Sequence, residues 1–143
     1  MLIAVLSPQE IQADEGSAEV TLTVNIVEKP VVFTLDAIGV GTNKATLRGW
    51  LADLGTAPSV LVSFGWDNES HAGDATAYPN WTVPQVKTRT GFFKTRIEGL
   101  TPGTTYYFRA KAEGDVIIYG QELSFRTHPG WHWWWYWFSY YWY

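Results

Sequence analysis

The sequence predicts an all-β sandwich carrying an extension at each end. Apolar and polar residues alternate in short runs, turn residues separate those runs at similar intervals, and no stretch shows the 3.6-residue period of an amphipathic helix. Taken in order, Leu2 to Leu6 is a short apolar run closed by Ser7-Pro8, and Gln12 to Ser17 reads as a loop. Val20, Leu22, Val24 and Ile26 then alternate with Thr21, Thr23 and Asn25, the pattern of a half-buried strand, until Lys29-Pro30 interrupts. Further strands are expected over 31–37, 44–52, 59–66, 90–98, 104–113 and 116–127. Gly39-Val40-Gly41, Gly55-Thr56-Ala57-Pro58, Gly99-Leu100-Thr101-Pro102-Gly103 and Glu113-Gly114-Asp115 supply the turns between them.

At 143 residues the chain fits one domain with a usable core plus extensions. Charge is unevenly placed. Residues 1–30 hold Glu10, Asp14, Glu15, Glu19 and Glu28 against Lys29 alone, whereas residues 31–127 hold nine basic and nine acidic side chains. The net charge of −4 therefore resides in the leading segment, which argues against a general nucleic-acid or anionic-membrane binder. There is no cysteine, which excludes a disulfide scaffold, a thiol nucleophile and zinc–thiolate sites. Met1 to Ser7 lacks the basic start and the long apolar core of a signal peptide, and no run approaches the ~20 apolar residues of a membrane helix. Asn68-Glu69-Ser70 and Asn80-Trp81-Thr82 fit the N-glycosylation pattern, and with Asn68 and Asn80 expected on exposed loops they point to an extracellular or cell-surface glycoprotein.

Residues 100–112, L-T-P-G-T-T-Y-Y-F-R-A-K-A, carry a family signature. Leu100, Pro102, Gly103 and Tyr106 stand where the L-x-P-G-T-x-Y corner of a fibronectin type III domain places them, and residues 31–127 resemble that family. The resemblance implies an immunoglobulin-like sandwich of the kind found in prokaryotic surface and filament proteins. The local chemistry agrees. Pro102-Gly103 supplies a fixed φ followed by a residue that tolerates positive φ, and Tyr106 starts a strand with its hydroxyl placed to bond the upstream backbone. Phe108, Ala110 and Ala112 continue the inward face, while Tyr107, Arg109 and Lys111 point out. Ala45, Leu47, Gly49 and Leu51 are expected inward on the strand at 44–52, Val60, Val62, Phe64 and Trp66 on that at 59–66, and Phe93, Thr95 and Ile97 on that at 90–98. Gly49 stands where the family usually has an inward Trp. Trp66 or Phe64 is expected to fill that volume, with Trp50 turned outward.

The C-terminal segment 128–143 departs from any ordinary pattern. Of its last thirteen residues, Trp131, Trp133, Trp134, Trp135, Tyr136, Trp137, Phe138, Tyr140, Tyr141, Trp142 and Tyr143 are aromatic. At roughly 150–250 Å² each, covering them removes on the order of 2,000 Å² from water, more than a standard interface of ~1,600 Å². Such a surface needs a partner, and the simplest partner is a second copy of the chain. The tail is thus expected to be extended and to carry assembly. The N-terminal β extension 1–30 is expected either to act as a donor strand that completes a neighbouring sheet, to pack on its own domain as an extra edge or hairpin, or to be the remnant of a preceding domain.

No catalytic constellation is visible. His71, His128 and His132 have no candidate nucleophile or orienting carboxylate at a recognisable spacing, so an enzyme is not expected. The loop Asp67 to Asp74 gathers oxygen atoms but lacks the full EF-hand spacing, and it reads as a solvated acidic loop with no metal or cofactor. Trp50, Phe92 and Trp81 are expected outward, as surface packing, a contact patch or a platform for sugars. Lys87, Arg89, Lys94 and Arg96 form a basic neighbourhood around the strand expected at 90–98, which reads as a solvated face or as a complement to the acidic residues 1–30 of a neighbouring chain. The resulting expectation is a structural subunit of an extracellular filament or surface array, a homopolymer held by its terminal extensions. The alternative is a carbohydrate- or protein-binding adhesion module of a larger surface protein, with glycans as its partners. Trp and Tyr also favour bilayer interfaces, but the absence of flanking basic residues argues against a membrane anchor.

Overall fold

The computed structural model describes residues 3–5, by their backbone, and residues 23–130. The described residues are all-β, and their strands pair antiparallel throughout. Strand β1 (Ile3–Val5) pairs with β2 (Asn25–Val27) in a small separate sheet. Two larger sheets form the sandwich. One has three strands in the order β3 (Val31–Ile38), β4 (Lys44–Asp53), β8 (Gly91–Glu98). The other is built around β5 (Val60–Asp67) and β9 (Thr105–Glu113). Here β6 (Asn80–Trp81) and β7 (Gln85–Lys87) flank β5, while β10 (Ile117–Tyr119) and β11 (Leu123–Arg126) flank β9.

Alternation along the strands sets the core. Ala45, Leu47, Gly49 and Leu51 on β4 face Val60, Val62 and Phe64 on β5 and Tyr106, Phe108, Ala110 and Ala112 on β9, all buried. Such side chains contribute roughly 1.5–3 kcal/mol each for the larger aliphatics and aromatics when fully covered. Trp66 is half-buried against that core, edge-on to Tyr106 at 5.9 Å. The volume above Gly49 is filled by neither Trp66 nor Phe64. A Cβ on Gly49 would lie 2.4 Å from Phe93 Cζ, so the cross-strand neighbour Phe93 occupies it and stacks on Phe64 at 5.0 Å.

Two features differ from the expected strand list. The run 116–127 is broken into β10 and β11 at Gly120, where a Cβ would meet Thr34 Oγ1 at 2.6 Å. Buried Thr34 accepts from Ala110 N (3.0 Å), and Gln121 Nε2 donates to Thr34 O (2.9 Å), so β3 is tied to the opposite sheet. The short strands β6 and β7 were not anticipated, because each is too brief to show a period.

The free edges bear on the donor-strand expectation. At β8, Lys87 Nζ donates to Phe92 O (2.8 Å) and Gln85 Nε2 to Lys94 O (3.0 Å). Side chains of one sheet thereby occupy carbonyls that an added strand would need. Among the described residues of the N-terminal extension, β1 and β2 pair with each other and neither joins a sandwich sheet. The aromatic assembly residues 131–143 lie outside the described residues.

The corner motif closes the fold. Gly103 has φ of +66°, Leu100 is buried, and the Tyr106 hydroxyl accepts from Thr101 N at 2.9 Å. Thr127, also buried, donates to Thr101 O (2.7 Å) and accepts from Thr104 N (2.9 Å), locking the strand exit to the same turn. Tyr106→Phe leaves the Thr101 amide without its partner and is expected to cost about 1–3 kcal/mol. Tyr107→Phe, on the outward face, is expected to change little. Chemical denaturation of both variants checks the pair, and the reverse order would place the strand register one residue off.

Candidate ligand-binding face

The three-stranded sheet has one face in the core and one in solvent. Because side chains alternate, Val31 and Phe33 on β3, Thr46, Arg48 and Trp50 on β4, and Phe92, Lys94 and Arg96 on β8 all share the outer face. Register turns them into rows. Phe33 pairs with Trp50 and Trp50 with Phe92, so three aromatics cross the whole sheet. The next outward row is Leu35, Arg48 and Lys94, and beyond it Thr46 stands beside Arg96. Phe92 is 69% exposed and Phe33 45%, an unusual outlay of aromatic surface for a sheet of three strands. Trp50 and Phe92 meet edge to face, centroids 4.4 Å apart and planes at 65°. The row is therefore a ridge and not a flat plate.

Cations border the ridge. Arg48 Nε donates to Asp36 O (2.9 Å), which fixes the guanidinium at the face, and Lys87 is held at the margin by Phe92 O. Arg96 is paired with Glu98 at 2.7 Å; Arg48, Lys87 and Lys94 make no ion pair among the described residues. Trp50 and Phe92 were both expected outward from the sequence. Phe33 was missed as their companion: its outward position is legible in the alternation Val31-Val32-Phe33-Thr34, but its alignment with Trp50 depends on pairing register.

Trp81, the third expected outward aromatic, belongs elsewhere. Its ring and that of buried Tyr78 lie over Gly65, where a Cβ would meet each at 2.9 Å. Trp81 Nε1 donates to Tyr78 O (2.9 Å), and Lys111 Nζ sits 4.7 Å from the indole centre. This half-buried cluster packs the 68–79 loop onto the second sheet. Glu122 holds the loop in place, accepting from Ser70 Oγ, from His71 N (2.8 Å) and from the Tyr78 hydroxyl. Burial, and then the hydrogen bond to Glu122, push the Tyr78 hydroxyl far above its ordinary range, so it remains a donor. Burial alone would raise the Glu122 carboxyl. The bonds from Ser70, Tyr78 and His71 N, with the Arg109 charge, outweigh it and hold Glu122 below its usual value.

The same loop brings Ser70 and His71 up to Asp67 at the end of β5, so His71 does have an orienting carboxylate, contrary to the reading of the sequence. Ser70 donates to Glu122, while His71 Nε2 is paired with Asp67 at 2.8 Å and its ring packs edge-on against Tyr78. Asp74 accepts from Thr76 N (2.9 Å) and Thr76 Oγ1 (2.6 Å), which lowers its carboxyl below the ordinary value. Among the described residues no three metal-ligating side chains converge. Asn68 is exposed, as expected. Asn80 is half-buried in β6, and its Nδ2 donates to Trp66 O at 3.2 Å, so it does not lie on an exposed loop.

No family model matches the chain, and no curated protein matches it. Solved structures do. A short form of the sensor domain of the anti-sigma factor RsgI4 in Pseudobacteroides cellulosolvens is 14% identical, with 71% of this chain and 96% of that chain covered and a TM-score of 0.52. The solution structure of the RsgI4 sensor domain is likewise 14% identical, with 71% and 76% covered and a TM-score of 0.56. What these similarities show is the fold, an all-β sandwich that serves those proteins as a sensor domain. They correct the expectation of a filament subunit: the two structures described are sensor domains of an anti-sigma factor and not filament subunits.

The Glu122 clasp yields a pH prediction. Its folded-state pKa is lowered, so its contribution to stability is present above the unfolded value near ~4.3 and is lost as pH falls through the folded value. Glu122→Gln is expected to cost about 1 kcal/mol at pH 7, the carboxylate being half-exposed. The gap between wild type and variant should narrow as pH drops from 5 to 2 in denaturation midpoints; a constant gap would remove the charge from the account.

Proposed function

We propose that this chain is a non-catalytic recognition module of a larger surface protein, facing the cell exterior. It captures an extended ligand on the outer face of the β3–β4–β8 sheet. The observation that carries this reading is the aromatic row Phe33, Trp50 and Phe92, aligned across every strand of the sheet, with Phe33 and Phe92 exposed and Trp50 half-buried between them. Scattered apolar surface is ordinary; three aromatics in one cross-strand row exceed what the modest ~0.2–1 kcal/mol of a cross-strand pair explains. The sheet supplies a rigid base, so the rings are presented with little entropy left to lose on binding.

A row of rings laid across three strands offers contact along a line, where a small molecule needs most of its surface enclosed. A concavity lined by Pro102, Gly103, Arg126, Pro129 and Gly130 lies instead at the tyrosine corner. A polymer chain laid across the strands suits the row better. Support for the module's place in the cell comes from the sensor domains that share its fold. The Leu100, Pro102, Gly103 and Tyr106 corner supports a fibronectin type III-like variant of that sandwich.

The test is retention of the full chain on a panel of cell-wall polysaccharides and surface proteins. Trp50→Ala and Phe92→Ala are each expected to weaken binding about tenfold or more, as hot-spot aromatics do. Phe92 is exposed, so its loss leaves the denaturation midpoint in place and separates binding from folding. Retention unchanged in both variants, or no retention of the wild type by any member of the panel, would overturn the proposal.

A further inference from the structure

Resting on the recognition reading above, we infer that the outer face of β3–β4–β8 selects an anionic polysaccharide, one whose sugar rings bear carboxylates. The aromatic row and the cationic row run parallel. Across the sheet, Phe33, Trp50 and Phe92 succeed one another at the inter-strand spacing of ~4.8 Å, so the row extends roughly 10 Å. Along β4 and β8, one outward step from Trp50 to Arg48 and from Phe92 to Lys94 is about 7 Å. A polymer lying over the aromatics thus keeps one flank beside Arg48 and Lys94 along its length. Long Lys and Arg stems span that gap easily, and a guanidinium reads a carboxylate in two hydrogen bonds.

Three further observations narrow the ligand. Charge complementarity is local, because residues 31–127 are balanced in charge while Arg48, Lys87 and Lys94 stand around the ridge without ion-pair partners among the described residues. The 65° tilt between Trp50 and Phe92 offers each ring separately, which fits a single hydrated chain and not the flat surface of a crystalline polymer. A peptide would most readily be read by strand addition, and at β8 the side chains of Lys87 and Gln85 already hold the carbonyls such a strand requires. What remains is a polymer that offers apolar ring faces to aromatics and acids to cations.

Biolayer interferometry of the full chain against immobilised polygalacturonate, hydroxyethyl cellulose and poly-L-glutamate tests this. Polygalacturonate should bind best, and Lys94→Glu and Phe92→Ser should each weaken it about tenfold, with Lys94→Glu also flattening the salt dependence. Both positions are exposed, and an unchanged denaturation midpoint confirms that each variant is folded. Equal binding to the neutral glucan, or indifference to Lys94→Glu, overturns the anionic selectivity. Poly-L-glutamate binding as tightly as polygalacturonate overturns the sugar component and leaves bare charge. If polygalacturonate is ignored while another ligand is lost on Trp50→Ala, this inference fails and the recognition reading stands. If no ligand depends on Trp50 or Phe92, both fail.

Discussion

The pairing of Gly49 with Phe93 is the constraint from which the rest of this sandwich follows. With no side chain at Gly49, the Phe93 ring swings across its own strand partner and stacks on Phe64 of the opposite sheet. One residue thereby fixes the register of β4 with β8 and the approach of the two sheets. A slip of β8 by one position would drive Phe92 into the core, bring Phe93 to the surface and leave the space over Gly49 unfilled. Strand parity then makes Trp50 and Phe92 neighbours on the outside because Gly49 and Phe93 are neighbours on the inside. The exposed aromatic ridge is in this sense the other side of a packing solution.

The second sheet is held by a different logic. Gly65 on β5 leaves room on its outer face for Tyr78 and Trp81, which a side chain there would exclude. The loop that delivers them has little apolar content of its own, and Glu122 compensates by accepting three hydrogen bonds from it. Two glycines thus play opposite roles. Gly49 admits a ring into the core from a neighbouring strand, whereas Gly65 admits rings onto the outside of a sheet. The consequence is an asymmetric molecule, with one sheet covered by its own loop and the other presenting an open face.

The same asymmetry extends to the edges of the sheets. Strand-exchange polymers need an open edge, and here Gln85 and Lys87 cross from the second sheet to the carbonyls of β8 while Gln121 bridges to β3. The same side-chain bridges stiffen the sheet that carries Phe33, Trp50 and Phe92. Blocking the edge and bracing the face are one set of contacts.

By itself the sequence determined the sandwich, the parity of each long strand and the corner. Period-two alternation is a local property, so Ala45 to Leu51, Val60 to Phe64 and Tyr106 to Ala112 reveal their inward faces without any partner, and Pro102-Gly103 fixes its own turn. Tertiary structure alone decided the pairings. That Phe33 lines up with Trp50, that Phe93 and not Trp66 fills the space over Gly49, and that Glu122 reaches Ser70, His71 and Tyr78 are contacts between residues tens of positions apart. Trp81 shows the limit most plainly: an aromatic at an outward-reading position is a ligand platform or a cover depending on whether the facing residue is bulky or, as with Gly65, absent of side chain. Alternation specifies which way a residue points, and only the packed chain specifies what it meets.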